Sequence, residues 1–100
     1  MDSYEVSSEA QDDLFEIWRR ISADSTELAD HIDREFHELF ASLAVMPFQG
    51  HPRQDLTARR VLFFAKYSFL VVYQPDTNPV RIMAVLRGRR NVKRVLSERA

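Results

Sequence analysis

The chain lacks cysteine and holds only two glycines and four prolines among its 100 residues. The absence of cysteine excludes disulfide bonds and thiolate metal sites. The scarcity of glycine and proline excludes a collagen-like or low-complexity chain. No apolar run approaches the roughly 20 residues of a membrane-spanning helix, and the acidic beginning of the chain is unlike a secretory signal. We therefore expect one soluble domain over residues 1–100, in the cytoplasm and without a membrane partner.

Charge is plentiful, and it is divided unevenly along the chain. Residues 1–50 hold 12 acidic and 3 basic residues, a net charge of −9, whereas residues 51–100 hold 3 acidic and 11 basic residues, a net charge of +8. The total of −1 therefore conceals an acidic half and a basic half. Such asymmetry indicates that the basic half faces an anionic partner.

Apolar residues recur at spacings of three and four in the first half, which predicts two amphipathic helices. Their apolar stripes are Ala10, Leu14, Ile17, Trp18 and Ile21, then Ala29, Ile32, Phe36, Leu39, Phe40 and Leu43. Ser8 with Gln11 forms a capping-box pattern for the first helix, and Pro47 ends the second near Met46. Trp18 should lie in the core, while Asp13 and its charged neighbours off the stripe should be solvated.

The second half changes to the pattern of strands. Residues 61–64 form a short apolar run, residues 69–73 read as a central buried strand, and residues 80–86 alternate as a half-buried strand. Residues 4–6 form a plausible edge strand, and Asn91 is placed to cap a short terminal helix. The predicted order is β-α-α-β-β-β-α. This order implies an α+β fold, in which a helical hairpin packs on a small, mainly antiparallel sheet.

Arginine dominates the basic half, and its planar fork suits phosphate and carboxylate groups. Sequential strands of a meander are neighbours, so these cations could share one side of the sheet. A nucleic acid or an acidic protein would fit such a side, and a merely solvated basic face is the alternative. The candidate binding residues are Arg53, Arg59, Arg60, Lys66, Arg87, Arg89 and Arg90.

Catalytic, metal and cofactor motifs are much weaker. Metal-free RNA cleavage needs a base, a cation and an acid around one phosphate. His51 is the only histidine in the basic half, Lys66 or Tyr67 could also serve, and no His or Tyr follows the last strand. We therefore predict no catalytic residue, no metal and no cofactor. Phe15 lies off its helix stripe and is a candidate apolar anchor for a partner helix.

Across nearly its whole length, the chain resembles the ParE branch of the RelE/ParE toxin superfamily. The opening helix is similar to the pattern A-x-x-D-L-x-x-I-W/Y, residues 43–53 to L-x-x-x-P-x-x-G-x-x-R, and residues 82–90 to I-x-x-V-L-H-G-x-R. Between them, Arg60 precedes residues 67–73, which resemble the Y-x-I-x-Y strand. Two positions depart, since Arg87 stands where the family often has His and Asn91 where it often has Asp. The opening pattern is filled by Ala10, Asp13, Leu14, Ile17 and Trp18.

The resemblance implies the toxin of a type II toxin–antitoxin pair. ParE-type members poison DNA gyrase, whereas RelE-type members cut mRNA in the ribosome and usually carry a Tyr or His just after the last strand. Here that region reads Arg89-Arg90-Asn91-Val92-Lys93, which favours gyrase poisoning. Two alternatives stay open: a ribosome-dependent endoribonuclease using Lys66 or His51 with Arg60 and Arg87, and an inactive antitoxin-binding member.

The implied partner is a ParD-like antitoxin, whose acidic or amphipathic C-terminal segment would wrap the toxin. Such a segment can fold on binding, with apolar anchors in a groove and carboxylates on arginines. Direct contact with nucleic acid is left open. We expect the carboxylates near Arg59, Arg60, Arg87, Arg89 and Arg90. Phe15 is the candidate apolar anchor for the antitoxin segment.

Overall fold

A computed structural model describes residues 3–88 and 91–99 of the chain. It confirms the α+β fold and the predicted order of elements. None of the helices in this part of the chain is long and apolar enough to cross a bilayer. The elements are β1 (Tyr4–Val6), α1 (Ser8–Ser22), α2 (Thr26–Val45), a 3₁₀ turn (Pro47–Gln49), β2 (Leu62–Lys66), β3 (Phe69–Gln74), β4 (Val80–Arg87) and α3 (Val92–Glu98).

The four strands form one mixed sheet in the order β1-β4-β3-β2. The β2–β3 and β3–β4 pairs are antiparallel, and β1 pairs with β4 in parallel. The strand predicted to be central, β3, is indeed central, and β1 is at an edge as expected. The register places Lys66, Phe69 and Arg87 side by side at one end of the sheet.

Helix α1 begins one residue earlier than the capping-box pattern predicted. Ser7, not Ser8, is the N-cap, and its hydroxyl accepts a hydrogen bond from the backbone N–H of Ala10 at 3.1 Å. Ser7 also donates its own N–H to the carbonyl of Ile82 at 3.0 Å, which continues the β1–β4 pairing and keeps it extended. Gln11 reaches back to the carbonyl of Val6 instead of forming the predicted box.

Three further helix ends can be compared with their caps. Ser25 caps α2 by accepting from the N–H of Leu28 at 3.1 Å. Helix α2 ends at Val45, and Met46 leaves the helical region immediately before Pro47, as predicted. Asn91 occupies the N-cap position of α3, but its side chain makes no capping bond because its backbone is left-handed, with φ of 63°.

Apolar side chains pack on both faces of the sheet. Phe36 and Phe40 of α2 pack on one face with Val71 and other strand residues. On the opposite face, α3 covers Phe63 and Val72 with its buried residues Val92 and Leu96. The molecule therefore has three layers, with the hairpin on one side of the sheet and α3 on the other.

A buried tyrosine fixes the loop that follows α2. The hydroxyl of Tyr73 donates to the carbonyl of Pro47 at 2.7 Å and accepts from the N–H of Gly50 at 2.9 Å. A Cβ atom at Gly50 would lie 2.7 Å from that hydroxyl and 2.8 Å from the carbonyl oxygen of Phe63. Position 50 therefore requires glycine, because the Tyr73 hydroxyl and the Phe63 carbonyl approach its backbone too closely for a Cβ atom. Burial raises the pKa of Tyr73.

Candidate functional site

A cleft of about 500 Å³ opens between the helical hairpin and one end of the sheet. We call it the hairpin cleft. Its apolar part comes from both helices and from β3 and β4, and its polar groups lie around these. The lining residues are Asp13, Glu16, Ile17, Arg20, Ile21, Ile32, Tyr67, Ser68, Phe69, Val85, Leu86 and Arg87.

Local sequence explains how these side chains come together. Ile17 and Ile21 are four residues apart, so they lie on the same flank of α1. Phe69 and Arg87 are cross-strand partners, and such partners point to the same face of the sheet. That face is the one under the hairpin, because the ring of Phe69 contacts the ring of Phe36 edge-on at 5.7 Å. Arg87 is thus an exposed cation at the edge of an apolar cleft.

The β2–β3 turn carries a polar network beside the cleft. Tyr67, with φ of 55°, donates its hydroxyl hydrogen to the carboxylate of Glu35 on α2. Lys66 Nζ lies 3.7 Å from Glu35 Oε1, and His31 Nε2 lies 3.0 Å from Glu35 Oε2. The Tyr67 hydrogen bond is the main cause that lowers the pKa of Glu35, and it raises the pKa of Tyr67. Lys66, a predicted binding residue, therefore already has a partner within the chain.

The structure does not bring the predicted cations together on one site. Lys66 and Arg87 lie at the end of the sheet beside the hairpin cleft, whereas Arg53, Arg59 and Arg60 precede β2 at the other end. The five residues of β2 separate the two groups by about 13 Å at ~3.3 Å per residue. Arg89 and Arg90 lie outside the described residues, so their predicted role is untested.

The three arginines before β2 differ in their surroundings. Arg53 makes a two-pronged contact with Asp55, at 3.0 and 2.8 Å. Arg60 is 87% exposed and lies 2.8 Å from a carboxylate oxygen of Asp76. The side chain of Arg59 instead extends to the end of α3. Its Nη1 donates to the carbonyl oxygens of Leu96 at 2.5 Å and Arg99 at 2.6 Å. Arg59 thus holds the end of α3 and is not an open binding group.

An ion pair that sequence reasoning missed joins α1 to the end of the described chain. Arg99 donates to both carboxylate oxygens of Asp13, at 2.6 and 2.9 Å, and to the carbonyl of Met83 at 3.1 Å. Asp13 also accepts from the N–H of Val85 at 3.0 Å. Only 16% of each charged side chain is exposed. We call Asp13, Arg99 and Arg59 the C-terminal latch.

The expectation that Asp13 is solvated is therefore wrong. Its partners Val85 and Arg99 lie far along the chain, and helical periodicity sees only local neighbours. One signal was available in the sequence, since Asp13 fills a fixed position of the opening motif. The latch also raises the pKa of Arg99, mainly through its hydrogen bonds to Asp13.

The candidate catalytic groups are dispersed. His51 is exposed and bridges to Phe63 at the outer edge of β2, whereas Lys66 ends that strand beside α2. His37 is half-exposed, and its Nδ1 lies 2.9 Å from the hydroxyl of Tyr4. Within residues 3–88 and 91–99, no group of three His, Asp or Glu side chains converges to hold a metal ion.

Phe15 lies in a second depression of about 510 Å³, on the opposite flank of α1 from the hairpin cleft. We call it the aromatic groove. The ring of Phe15 is stacked on that of Trp18, with 6.5 Å between their centroids, and Phe15 is 62% exposed. Trp18 was predicted to be core, but it is only half-buried, and its Nε1 donates to Asp30 at 2.7 Å. The lining residues are Val6, Gln11, Leu14, Phe15, Trp18, Asp33 and His37.

A three-layer α+β fold with this element order, and a cleft between its hairpin and its sheet, is that of the RelE/ParE-like toxins. A family model described as "ParE toxin of type II toxin-antitoxin system, parDE" matches residues 4–92. The chain belongs to the ParE toxin family. A search of curated proteins found no match.

Membership in this family confirms the resemblance seen in the sequence motifs. The protein is the toxin component of a type II toxin–antitoxin system, and its partner is a cognate antitoxin. Toxins of this family generally act without catalysis.

Proposed function

We propose that the protein is a cytoplasmic toxin that poisons DNA gyrase by binding it, and that a ParD-like antitoxin neutralises it by occupying the hairpin cleft. The observation that carries this proposal is the cleft itself, where an apolar floor meets exposed guanidinium groups. Ile17 and Ile21 supply part of the floor, and Arg20 and Arg87 lie at its edge. The binding of another protein chain, not the chemistry of a small substrate, is what such a surface favours.

The cleft defines the chemistry of the segment that would enter it. A volume of about 500 Å³ holds several apolar side chains of an amphipathic helix or an extended segment. Carboxylates on that segment would pair with Arg87 and Arg20, because guanidinium forks bind carboxylates with two parallel hydrogen bonds. Arg20 is 3.5 Å from Glu16 and 63% exposed, so its present ion pair is loose enough to be exchanged. An antitoxin tail that is both apolar and acidic meets these requirements.

The arrangement of cations favours binding over RNA cleavage. A ribonuclease site would need Lys66 or His51 to meet Arg60 and Arg87 around one phosphate. Arg60 lies before β2 and Arg87 lies at the far end of the sheet, so the strand's ~13 Å length separates them. Lys66 is in addition paired with Glu35. Gyrase poisoning, the activity that the family resemblance implies, requires no such convergence.

A different contact surface lies at the other end of the sheet. Arg53 and Arg60 line a smaller depression of about 250 Å³ together with Phe48, which is 71% exposed. We assign this end of the sheet to contact with an anionic surface of the target, separate from the antitoxin cleft. Arg89 and Arg90 follow the cleft strand β4 in sequence and stay candidates for the antitoxin side.

Induced expression in bacteria tests the proposed activity. We expect filamentation with DNA damage, and accumulation of cleaved DNA when the purified protein is added to gyrase. Co-expression of the neighbouring small reading frame should relieve both effects. Rapid translation arrest with cut mRNA would overturn the gyrase assignment in favour of ribonuclease activity. Normal growth would show an inactive antitoxin-binding member.

The antitoxin cleft is tested with a matched pair of charge reversals. Arg87→Glu should weaken antitoxin binding about tenfold or more, since it places a carboxylate against the acidic segment. Arg60→Glu changes an equally exposed arginine at the other end of the sheet and should leave this affinity nearly unchanged. Titration calorimetry with the antitoxin measures both. Equal losses of antitoxin affinity in the two variants would contradict binding of the antitoxin in the hairpin cleft.

A further inference from the structure

The aromatic groove on the outer flank of α1 has no part in the function proposed above. Phe15 exposes 62% of its surface and belongs to neither cluster of buried core residues. Its ring lies almost parallel to that of Trp18, with 17° between their planes. Leu14 and Val6 extend the apolar surface at the groove floor. The result is an open groove with two stacked aromatic rings.

Three polar side chains line this groove, Gln11, Asp33 and His37, and Asp33 is the carboxylate among them, with its Oδ2 atom 3.9 Å from Nε2 of His37. Asp33 lines it directly, and Asp30, one helical turn earlier, accepts the indole N–H of Trp18. No lysine or arginine is among the residues that line it. Arg19, near Phe15 on α1, already pairs with Glu16 at 2.5 Å. The hairpin cleft on the other flank of the same helix is lined by Arg20 and Arg87 as well as by Asp13 and Glu16, so the two depressions differ in that only the cleft has arginine in its lining.

We propose that the aromatic groove binds a cationic amphipathic segment of a protein partner. An apolar side chain of the segment would cover Phe15 and Leu14, and a Lys or Arg would lie against the ring of Trp18. A cation over an aromatic face is attracted by the ring's negative π-surface, and Trp is the strongest of the three aromatic residues in this role. The same cation reaches the carboxylate of Asp33, whose side chain is 42% exposed.

Charge complementarity distinguishes this partner from the antitoxin tail. The exposed arginines of the hairpin cleft favour an acidic segment, whereas the aromatic groove has the carboxylate of Asp33 and no lysine or arginine in its lining, which favours a cationic segment. The two sites lie on opposite flanks of α1, so both can be filled at once. Binding of a partner in the aromatic groove is therefore independent of antitoxin binding in the hairpin cleft and of the gyrase assignment. A second copy of this chain, presenting its own basic half, is the competing occupant.

The chain offers a direct probe, because Trp18 is its only tryptophan. The ligand for the test is a synthetic amphipathic peptide of about 18 residues, or about five helical turns, with an apolar stripe flanked by lysine and arginine. A second peptide keeps the stripe and carries glutamate at the same positions. The cationic peptide should change the Trp18 emission saturably at micromolar concentration, and added salt should weaken its binding. The glutamate peptide should leave the emission unchanged.

Three substitutions make the test specific. Phe15→Ser should weaken binding of the cationic peptide about tenfold, as loss of an aromatic anchor does. Asp33→Asn should weaken it several-fold and reduce its salt dependence. Phe48→Ser removes another exposed phenylalanine, 71% against 62% for Phe15, and should leave binding of the cationic peptide unchanged. Circular dichroism of each variant confirms that the fold is retained.

Two results would overturn the proposal. One is equal binding of the two peptides, or equal loss in the Phe15→Ser and Phe48→Ser variants, since either would show non-specific apolar contact. The other is a change of Trp18 emission with protein concentration alone, accompanied by dimers in ultracentrifugation. That outcome would assign the groove to a second copy of the chain.

Discussion

Two arginine–aspartate ion pairs in this toxin have the same chemistry but differ in burial, and therefore in how much they contribute to the stability of the fold. Arg99 and Asp13 are each 16% exposed, and Asp13 is further bound by a backbone N–H, whereas Arg60 is 87% exposed and meets only the partly exposed Asp76. A surface pair of the second kind contributes about 0–1 kcal/mol. A pair of the first kind leaves an uncompensated charge when it is broken. Clustering of arginines in the sequence therefore does not distinguish arginines that bind a partner from arginines that stabilise the fold. Burial of the side chain does distinguish them.

Two neighbouring arginines, Arg59 and Arg60, show the same difference between a structural and an exposed side chain. Arg59 and Arg60 are adjacent, and no local pattern in the sequence distinguishes them. Arg59 reaches the end of α3, where it donates to the carbonyl oxygens of Leu96 and Arg99. Arg60 points to solvent. One of the two belongs to the C-terminal latch and the other to the exposed basic surface.

The largest expected effect comes from breaking the latch at its carboxylate. Asp13→Ala should lower the free energy of unfolding by about 2–3 kcal/mol, because Arg99 loses its counter-charge and the N–H of Val85 loses its acceptor. Urea denaturation measures the loss. Asp12→Ala, at an exposed neighbouring position, is the matched control and should change stability by less than about 0.5 kcal/mol. A loss equal to that of the control would mean that apolar contacts alone hold α3.

A smaller effect is expected from the two neighbouring arginines. Arg59→Ala should reduce stability by about 1–2 kcal/mol, because two carbonyl oxygens at the end of α3 lose a charged donor. Arg60→Ala should remain within about 0.5 kcal/mol of the parent protein. Hydrogen exchange of the α3 amides locates the effect, since only Arg59→Ala should increase their exchange rates. Equal effects of the two substitutions would remove the distinction between latch and surface.

The smallest effect concerns the exposed network beside the hairpin cleft. The pKa of Glu35 is lowered in the folded protein, chiefly by the Tyr67 hydroxyl. A carboxylate with a lowered pKa stabilises the fold above its unfolded pKa, and this contribution is lost as the pH falls through the folded pKa. The difference in urea midpoint between the parent and Glu35→Gln should therefore shrink between pH 7 and about pH 3. A difference that stays constant over this range would show that Glu35 does not act through its charge.

The fold could be predicted because its signals are local. The apolar stripes of α1 and α2, the continuous strand at residues 69–73 and the stop at Pro47 each depend on spacing within a few residues. The cap at Ser7 was misplaced by one residue, because its extended conformation is fixed by pairing with Ile82 at the far end of the chain. The parallel placement of β1 beside β4 likewise has no local signal.

The candidate sites were less predictable for the same reason. The exposure of Phe15 followed from its place off the helix stripe, and the structure confirms that exposure. The partners of Asp13 and Arg59 lie across the sheet, so their structural roles had no local signature. Tyr67 was noticed only as a possible catalytic group, while its bond to Glu35 depends on how α2 lies against the β2–β3 turn.

The parallel pairing of β1 with β4 also determines the order in which the toxin can fold. The hairpin joins α1 and α2 through contacts that are close in sequence, and such contacts form early because they close short loops. By contrast, Tyr4 pairs with Val80, and Arg99 reaches Asp13 across 86 positions. On the ribosome the hairpin is thus complete long before the sheet and the latch can close. The Phe15 and Trp18 rings of the aromatic groove belong to the hairpin, whereas Val6 of that groove and the sheet side of the hairpin cleft depend on the late pairing of the strands.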